Sequence, residues 1–374
     1  MIEVKEVKTK REWKQFASYP LTLYQDCPYY VPSFFSDERT LSNPNKNAAL
    51  LQSETKAFLA YRDGKLVGRI AGILQHRYNE IQGKKCVRFS RFDCIDDKEV
   101  AFTLFDAVRA YGKEKGMTQM HGPWGFSDQD REGMLTYGFD VRATYVTNYN
   151  YAYYETLVKE YGFTDECEWV EYLLTDLDAT DGRIFALADR IRQRGEFFEV
   201  VGTMPVKKVV KKYGKGVFDV VNESYKVLDG YVPVEGKMLD QVLGQFGLIL
   251  NEDYLSVIVD KEDNVVAFGV ALPSICAALQ KSGGKLTLPT IFRLLSAVKN
   301  PKELELGLIA VLPEYRAKGL NALVIDRIHK GILKNKIPWV ETNPELVTNL
   351  AVQGQWKGMK REIIKRRKCF IKEI

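Results

Sequence analysis

Two stretches far apart in the chain share one pattern of apolar and polar positions. Residues 57–74 read AFLAYRDGKLVGRIAGIL, and residues 255–272 read LSVIVDKEDNVVAFGVAL. Each is an apolar run, a polar turn and a second apolar run. Asp63-Gly64 and Asp263-Asn264 tolerate positive φ, so each stretch predicts a β-hairpin. Laying Gly68 on Ala267 sets an offset of 199 residues. That period is too long for a solenoid and suits two tandem domains of similar size.

The order continues after each hairpin. Residues 86–95 and 304–312 read as strands. Residues 99–115 carry Val100, Leu104, Phe105, Val108 and Tyr111 at helical spacing, and residues 320–334 carry Leu323, Val324, Ile328 and Ile332. Strand, helix, strand favours parallel pairing through a crossover, whereas a hairpin is antiparallel. The predicted fold class is therefore α/β, with a mixed sheet flanked by helices in each of two domains. The polar, acidic stretch 174–182 marks the boundary and gives domains 1–177 and 178–374. The second domain carries an insertion over about 274–301, punctuated by Ser282-Gly283-Gly284 and Pro289. It either lines a substrate site or is a plain helical elaboration.

Composition acts mainly by exclusion. The chain has 374 residues, 45% hydrophobic and 28% charged, which is ordinary for a globular protein. Fifty-four basic residues against 49 acidic ones leave a formal charge of +5. The basic clusters are short. Lys207, Lys208, Lys211, Lys212 and Lys215 alternate with valines as a solvated face would, and residues 365–368 sit in an alternating terminal strand. Nucleic acid is not an expected partner. Six cysteines stand at least eight residues apart and three histidines are scattered, so no metal site is expected. Free thiols fit a reducing compartment. No apolar run approaches the roughly 18–20 residues of a membrane span, and the N-terminus lacks the apolar core of a signal peptide. The expectation is a cytoplasmic protein with no membrane partner.

Candidate chemistry concentrates between Glu303 and Val324. An apolar strand ends at Pro313, a loop with Arg316, Lys318 and Gly319 follows, and an amphipathic helix starts at once. A helix N-terminus presents free N–H groups and a positive dipole end, so this loop is a candidate pyrophosphate cradle. It is neither a Walker loop nor a dinucleotide-binding GxGxxG loop. Two further features have bland readings beside functional ones. The tyrosines at 145, 149, 151, 153 and 154 either line a cleft or pack an interface, and His121 before Gly122-Pro123 reads as structural.

The run Val311-Leu-Pro-Glu-Tyr-Arg-Ala-Lys-Gly319 resembles the acyl-CoA-binding signature of the GNAT superfamily of N-acetyltransferases. The family pattern is Gln/Arg-x-x-Gly-x-Gly/Ala after a strand ending Ala-Val-x-Pro. Arg316 and Gly319 match, and Asn321 stands at the final small position, with Ala322 next. The resemblance implies two tandem GNAT-like domains, similar to uncharacterised bacterial double-GNAT proteins. It implies transfer of an acetyl group from acetyl-CoA, as co-substrate, to a small-molecule or peptide amine. It places acetyl-CoA on Ile309, Ala310, Val311, Arg316, Ala317, Lys318, Gly319, Leu320, Asn321 and Asn349. It makes Glu305 the catalytic base, on one strand face with Gly307, Ile309 and Val311. Trp356 stands where the family has the tyrosine that protonates the CoA thiolate. The N-terminal half resembles a GNAT domain that has lost its loop, because the acids of Asp96-Asp97-Lys98-Glu99 would repel a phosphate. Two alternatives stay open: transfer of a longer acyl chain, and a non-catalytic CoA-binding or structural module. A homodimer is compatible with each.

Overall fold

A computed structural model describes residues 1–180, 182–247 and 249–374. Asp181, part of the boundary stretch, lies outside the described residues. The first half runs β1 (Ile2–Glu6), α1 (Lys10–Leu23), α2 (Phe35–Arg39), β2 (Ser53–Arg62), β3 (Lys65–Gln75), α3 (His76–Gln82), β4 (Cys86–Cys94), α4 (Lys98–Glu114), β5 (Gln119–Gly122), β6 (Met134–Tyr137), α5 (Tyr153–Glu160) and β7 (Thr164–Thr175). The second half runs α6 (Arg183–Arg194), β8 (Phe198–Glu199), α7 (Val206–Tyr225), α8 (Gly236–Phe246), β9 (Leu255–Val259), β10 (Val265–Pro273), α9 (Cys276–Ser282), α10 (Leu288–Lys299), β11 (Leu304–Val311), α11 (Leu320–Lys334), β12 (Val340–Thr342), β13 (Glu345–Leu346), α12 (Leu350–Gly354) and β14 (Lys360–Glu373).

The sequence repeat is a structural repeat. Both hairpin turns use positive φ: +50° at Asp63 and +77° at Gly64, and +65° at Asp263. β2–β3 and β9–β10 each shift register just past the turn. β3 and β10 shift again against the next strand, β4 or β11. β4 pairs in parallel with β5 only over Cys86–Arg88, and β11 with β12 only over Leu304–Leu306. The paired strands part at the same place in each half.

The strand order is β1-β2-β3-β4-β5-β14-β7-β12-β11-β10-β9-β8. β14, from the end of the chain, lies between β5 and β7. β7, from the first half, lies between β14 and β12. Each half therefore places its last strand inside the other half's part of the sheet. β7 and β14 pair antiparallel from Thr175↔Lys360 to Thr164↔Ile371.

Alternation on β14 carries charge inwards as well as outwards. Lys365 and Arg367 are fully buried. Lys365 Nζ lies 2.9 Å from Glu171 Oε2 and also pairs with Glu341, while Arg367 Nε donates to Glu171 Oε1 at 2.5 Å. The lysines at 207, 208, 211, 212 and 215 are solvent-exposed on α7. The aromatic segment packs an interface: Tyr149 and Tyr151 join Tyr24 against Ile275, Cys276 and Leu279 of the second half. His121 is buried and hydrogen-bonds through Nδ1 to Glu166 at 3.1 Å. Among the described residues no helix is long and apolar enough to cross a membrane, and no group of three or more His, Cys, Asp or Glu could hold a metal ion.

Candidate functional site

The site forms where β11 and β12 part. Opposite Val270 of β10, two residues of β11 (Gly307 and Leu308) face one, since the register runs Ala271↔Leu306 and then Gly269↔Ile309. This bulge reverses the side-chain alternation. Leu304 and Leu306 pack towards α6 and α11, and so do Ile309 and Val311. Leu308 and Ala310 pack towards α7. A regular strand would have put Glu305 on one face with Ile309 and Val311. The extra residue separates them.

The bulge also aims backbone groups into the opening. Leu312 N–H donates to Val266 O. Ladder alternation then makes Ala310 and Phe268 the next bonded pair and turns Ile309 and Val311 to the β12 side. Two of their carbonyls are already bonded there: the Tyr225 hydroxyl donates to Ile309 O and the Ser224 hydroxyl to Val311 O, each at 3.2 Å. Both hydroxyls come from the last turn of α7. The reading of the sequence had not singled them out.

The parted strands open into a cavity of about 750 Å³. Its wall includes Ile325 and Ile332 of α11 on one face of the sheet, and Val209, Tyr213 and Phe218 of α7 on the other. It therefore passes through the sheet, and most of its lining is apolar.

Of the residues expected to hold acetyl-CoA, Ile309, Ala310, Val311, Arg316, Asn321 and Asn349 line this cavity. Ala317, Lys318, Gly319 and Leu320 belong to the adjoining turn and helix start, and the Leu320 side chain is buried in the core. Gly319 adopts φ +76°, which a side chain rarely takes, and no side chain caps α11. Ala322 N–H bonds back to Gly319 O at 2.9 Å, and no side chain competes with a ligand for the N–H groups before it. Arg316 is exposed and makes no ion pair among the described residues. The Lys318 ammonium sits 4.8 Å from the Tyr315 ring centre and 5.4 Å from that of Phe197. Asn349 caps α12, accepting from Val352 N–H at 3.4 Å. The equivalent place in the first half is closed. Asp97 caps α4 through Val100 N–H at 3.1 Å and pairs with Arg62 at 2.7 Å.

Glu305 is buried and does not line the cavity. Cys276 Sγ donates to its Oε1 at 3.2 Å and Tyr145 N–H to its Oε2 at 3.3 Å. Burial pushes its carboxyl above the ordinary range. A second acid does line the cavity. Glu345 of β13 is buried, and desolvation raises its pKa to about 7. The Trp356 indole N–H donates to its Oε1 at 2.6 Å, and its Oε2 has no partner. Trp356 also lines the cavity. Glu345 carries no local signal in the sequence, because what buries it is pairing with Val170, 175 residues away. Asp128, Glu132 and Asp229 contribute further acids to the wall, each raised by burial.

No family model matches the chain. It is 23% identical over 381 residues to Protein YghO of Escherichia coli (strain K12), covering 99% of this chain and 95% of that protein. It is 25% identical over 296 residues to a bacterial ceramide synthase of Caulobacter vibrioides (strain NA1000 / CB15N), covering 76% and 73%. Among solved structures it resembles a tandem GNAT protein from the clavulanic acid biosynthesis pathway. The TM-score there is 0.55, with 12% identity and coverage of 99% of this chain and 98% of that one. The chain has the tandem GNAT fold.

Proposed function

We propose that the protein is an N-acyltransferase that moves an acyl chain longer than acetyl from a coenzyme A thioester to an amine. The observation that carries this reading is the apolar cavity of about 750 Å³ that opens between β11 and β12 beside an uncapped helix start. An acetyl group needs little more room than one or two waters, each roughly 30 Å³ in the liquid. A chamber of this size and lining suits a long apolar chain. The similarity to a bacterial ceramide synthase supports the same choice, since a ceramide is a long-chain amide.

In this reading the pyrophosphate sits on the N–H groups at the start of α11, with Arg316 as its cation. The pantetheine arm follows the freed edge of β11. The thioester carbonyl oxygen accepts from the N–H of Ile309 or Val311, which hold the negative charge that develops on it. The amine nitrogen attacks the carbonyl carbon, its proton passes to Glu345, the C–S bond breaks and CoA leaves as thiolate. Glu345 is preferred to Glu305 because it lines the chamber and its buried Oε2 has no hydrogen-bond partner. A cationic amine is the group that Asp128, Glu132 and Asp229 would receive. We further propose that residues 178–374 hold the acyl donor and contribute Asp229 to this acidic wall, while residues 1–177 supply Asp128 and Glu132.

The test is calorimetric titration with acetyl-, octanoyl- and palmitoyl-CoA, followed by thiol release in the presence of long-chain and short amines. Long-chain donors should bind at least about tenfold more tightly than acetyl-CoA. Equal affinity across the series would return the reading to acetyl transfer. Absence of binding to every donor would remove the acyltransferase assignment.

A further inference from the structure

α10 is apolar on two sides, and only one of them is covered. Leu294 and Val298 pack inwards against the cluster that contains Ile275, Cys276 and Leu279, with Thr290 buried beside them. Leu288, Ile291, Phe292 and Leu295 form the adjoining side, at the spacing of one helical face, and are exposed. Leu288 and Phe292 are 74% and 71% exposed. Leu286, just before the helix, extends the patch. A contiguous exposed apolar surface of this kind marks an interaction site.

Charge tells what covers it. From Asn264 to Lys302 there is no aspartate or glutamate, while Lys281, Lys285, Arg293, Lys299 and Lys302 are all present. These five cations equal the formal charge of the whole chain, +5, so the rest of the molecule is balanced and its excess sits here. A second copy meeting this face across a two-fold axis would set the cations against one another. An anionic bilayer offers both an apolar layer and an opposite charge, the combination that interfacial helices use. We propose that α10 and the loop before it form a peripheral membrane-binding element for anionic lipid surfaces. The element leans on the chamber wall: Asn251 Nδ2 donates to Val298 O at 3.0 Å, and its neighbour Leu250 lines the cavity. The expectation of no membrane partner rested on the lack of a spanning segment. That criterion does not address a helix lying in the interface.

The experiment is flotation of the full chain with vesicles of about one third phosphatidylglycerol in phosphatidylcholine, against phosphatidylcholine alone. The wild type should float with the anionic vesicles, bind phosphatidylcholine at least about tenfold more weakly and be released by high salt. Phe292→Asp with Leu295→Asp should abolish flotation, and Arg293→Glu with Lys299→Glu should weaken it strongly. Both pairs should keep the wild-type unfolding midpoint and affinity for acyl-CoA. Wild-type protein that stays at the bottom with anionic vesicles overturns the proposal. So does flotation unchanged in the Asp pair, or a wild-type dimer that this pair breaks. Vesicle binding does not require acyl transfer, so either assignment can fail without the other.

Discussion

Glu345 and Glu305 are both buried acids near the place where the strands part, and they differ in what they can reach. Glu305 is held by Cys276 and the Tyr145 N–H, away from the chamber. Glu345 lines the chamber, and its buried Oε2 has no hydrogen-bond partner. Its pKa of about 7 means that it becomes a competent base as pH rises through neutrality. Glu345→Gln keeps the size and the bond to Trp356 but removes basicity. It should lower turnover by about 10²–10⁴-fold and erase the acidic limb of the pH–rate profile, with acyl-CoA affinity unchanged. Glu305→Gln should leave that limb in place, and a lost limb in this variant would return the role to Glu305. The same shift has a stability sign. The folded state holds the Glu345 proton more tightly than the unfolded chain does, so its contribution is full below the ordinary carboxyl value of 4.5 and is lost as pH rises through about 7. Melting across that window should be flatter in Glu345→Gln than in the wild type.

The starts of α4 and α11 are one element met twice, and the loop before each decides its use. The Asp97 side chain caps α4 at Val100 N–H, while Gly319 gives α11 no side-chain cap. Asp97→Ala should therefore cost about 1 kcal/mol in chemical denaturation and leave acyl-CoA binding alone. Arg316→Glu should do the reverse, weakening acyl-CoA binding at least about tenfold by calorimetry with little change in stability. Equal loss of binding from both changes would remove the assignment of the donor site to the second half. The contrast was legible in sequence, because a strand end, a cationic Gly loop and a helix start are contiguous, as are the acids at 96–99. The bulge at Gly307 and Leu308 was not. A strand of eight residues reads as regular alternation until its partner is known, and here it is the single residue Val270 opposite that creates the extra one. The exposed side of α10 was legible only as an insertion, because its apolar residues look like any helix core until the packing shows which are covered.

At the scale of the molecule the two halves are not side by side but laced together. The repeat, its offset and its element order could be read from the chain, since hairpin, strand and helix are local patterns. The exchange of β7 and β14 could not, because each strand would satisfy alternation equally well in either half. At the seam that the exchange creates, Lys365 sits without solvent contact between Glu171 of β7 and Glu341 of β12. Burial alone would strip its proton, but the two carboxylates more than offset this and raise its pKa. We propose that 1–177 and 178–374 are repeat units that fold as one. Lys365→Met would leave the buried Glu341 carboxyl without its cation, while Glu171 keeps Arg367 at 2.5 Å, and breaking a buried pair in this way typically costs about 3–5 kcal/mol. Lys360, on the same strand, pairs with Asp176 in the open, and Lys360→Met should stay within about 0.5 kcal/mol. Without its cation the Glu341 carboxyl binds a proton in the folded state, so the loss in Lys365→Met should be smaller in mild acid and larger as pH rises past neutrality. Because the seam belongs to both halves, amide exchange should show β3 of the first half and β10 of the second losing protection together in the variant. Loss confined to one half would mean that the halves are held by something other than this strand pair.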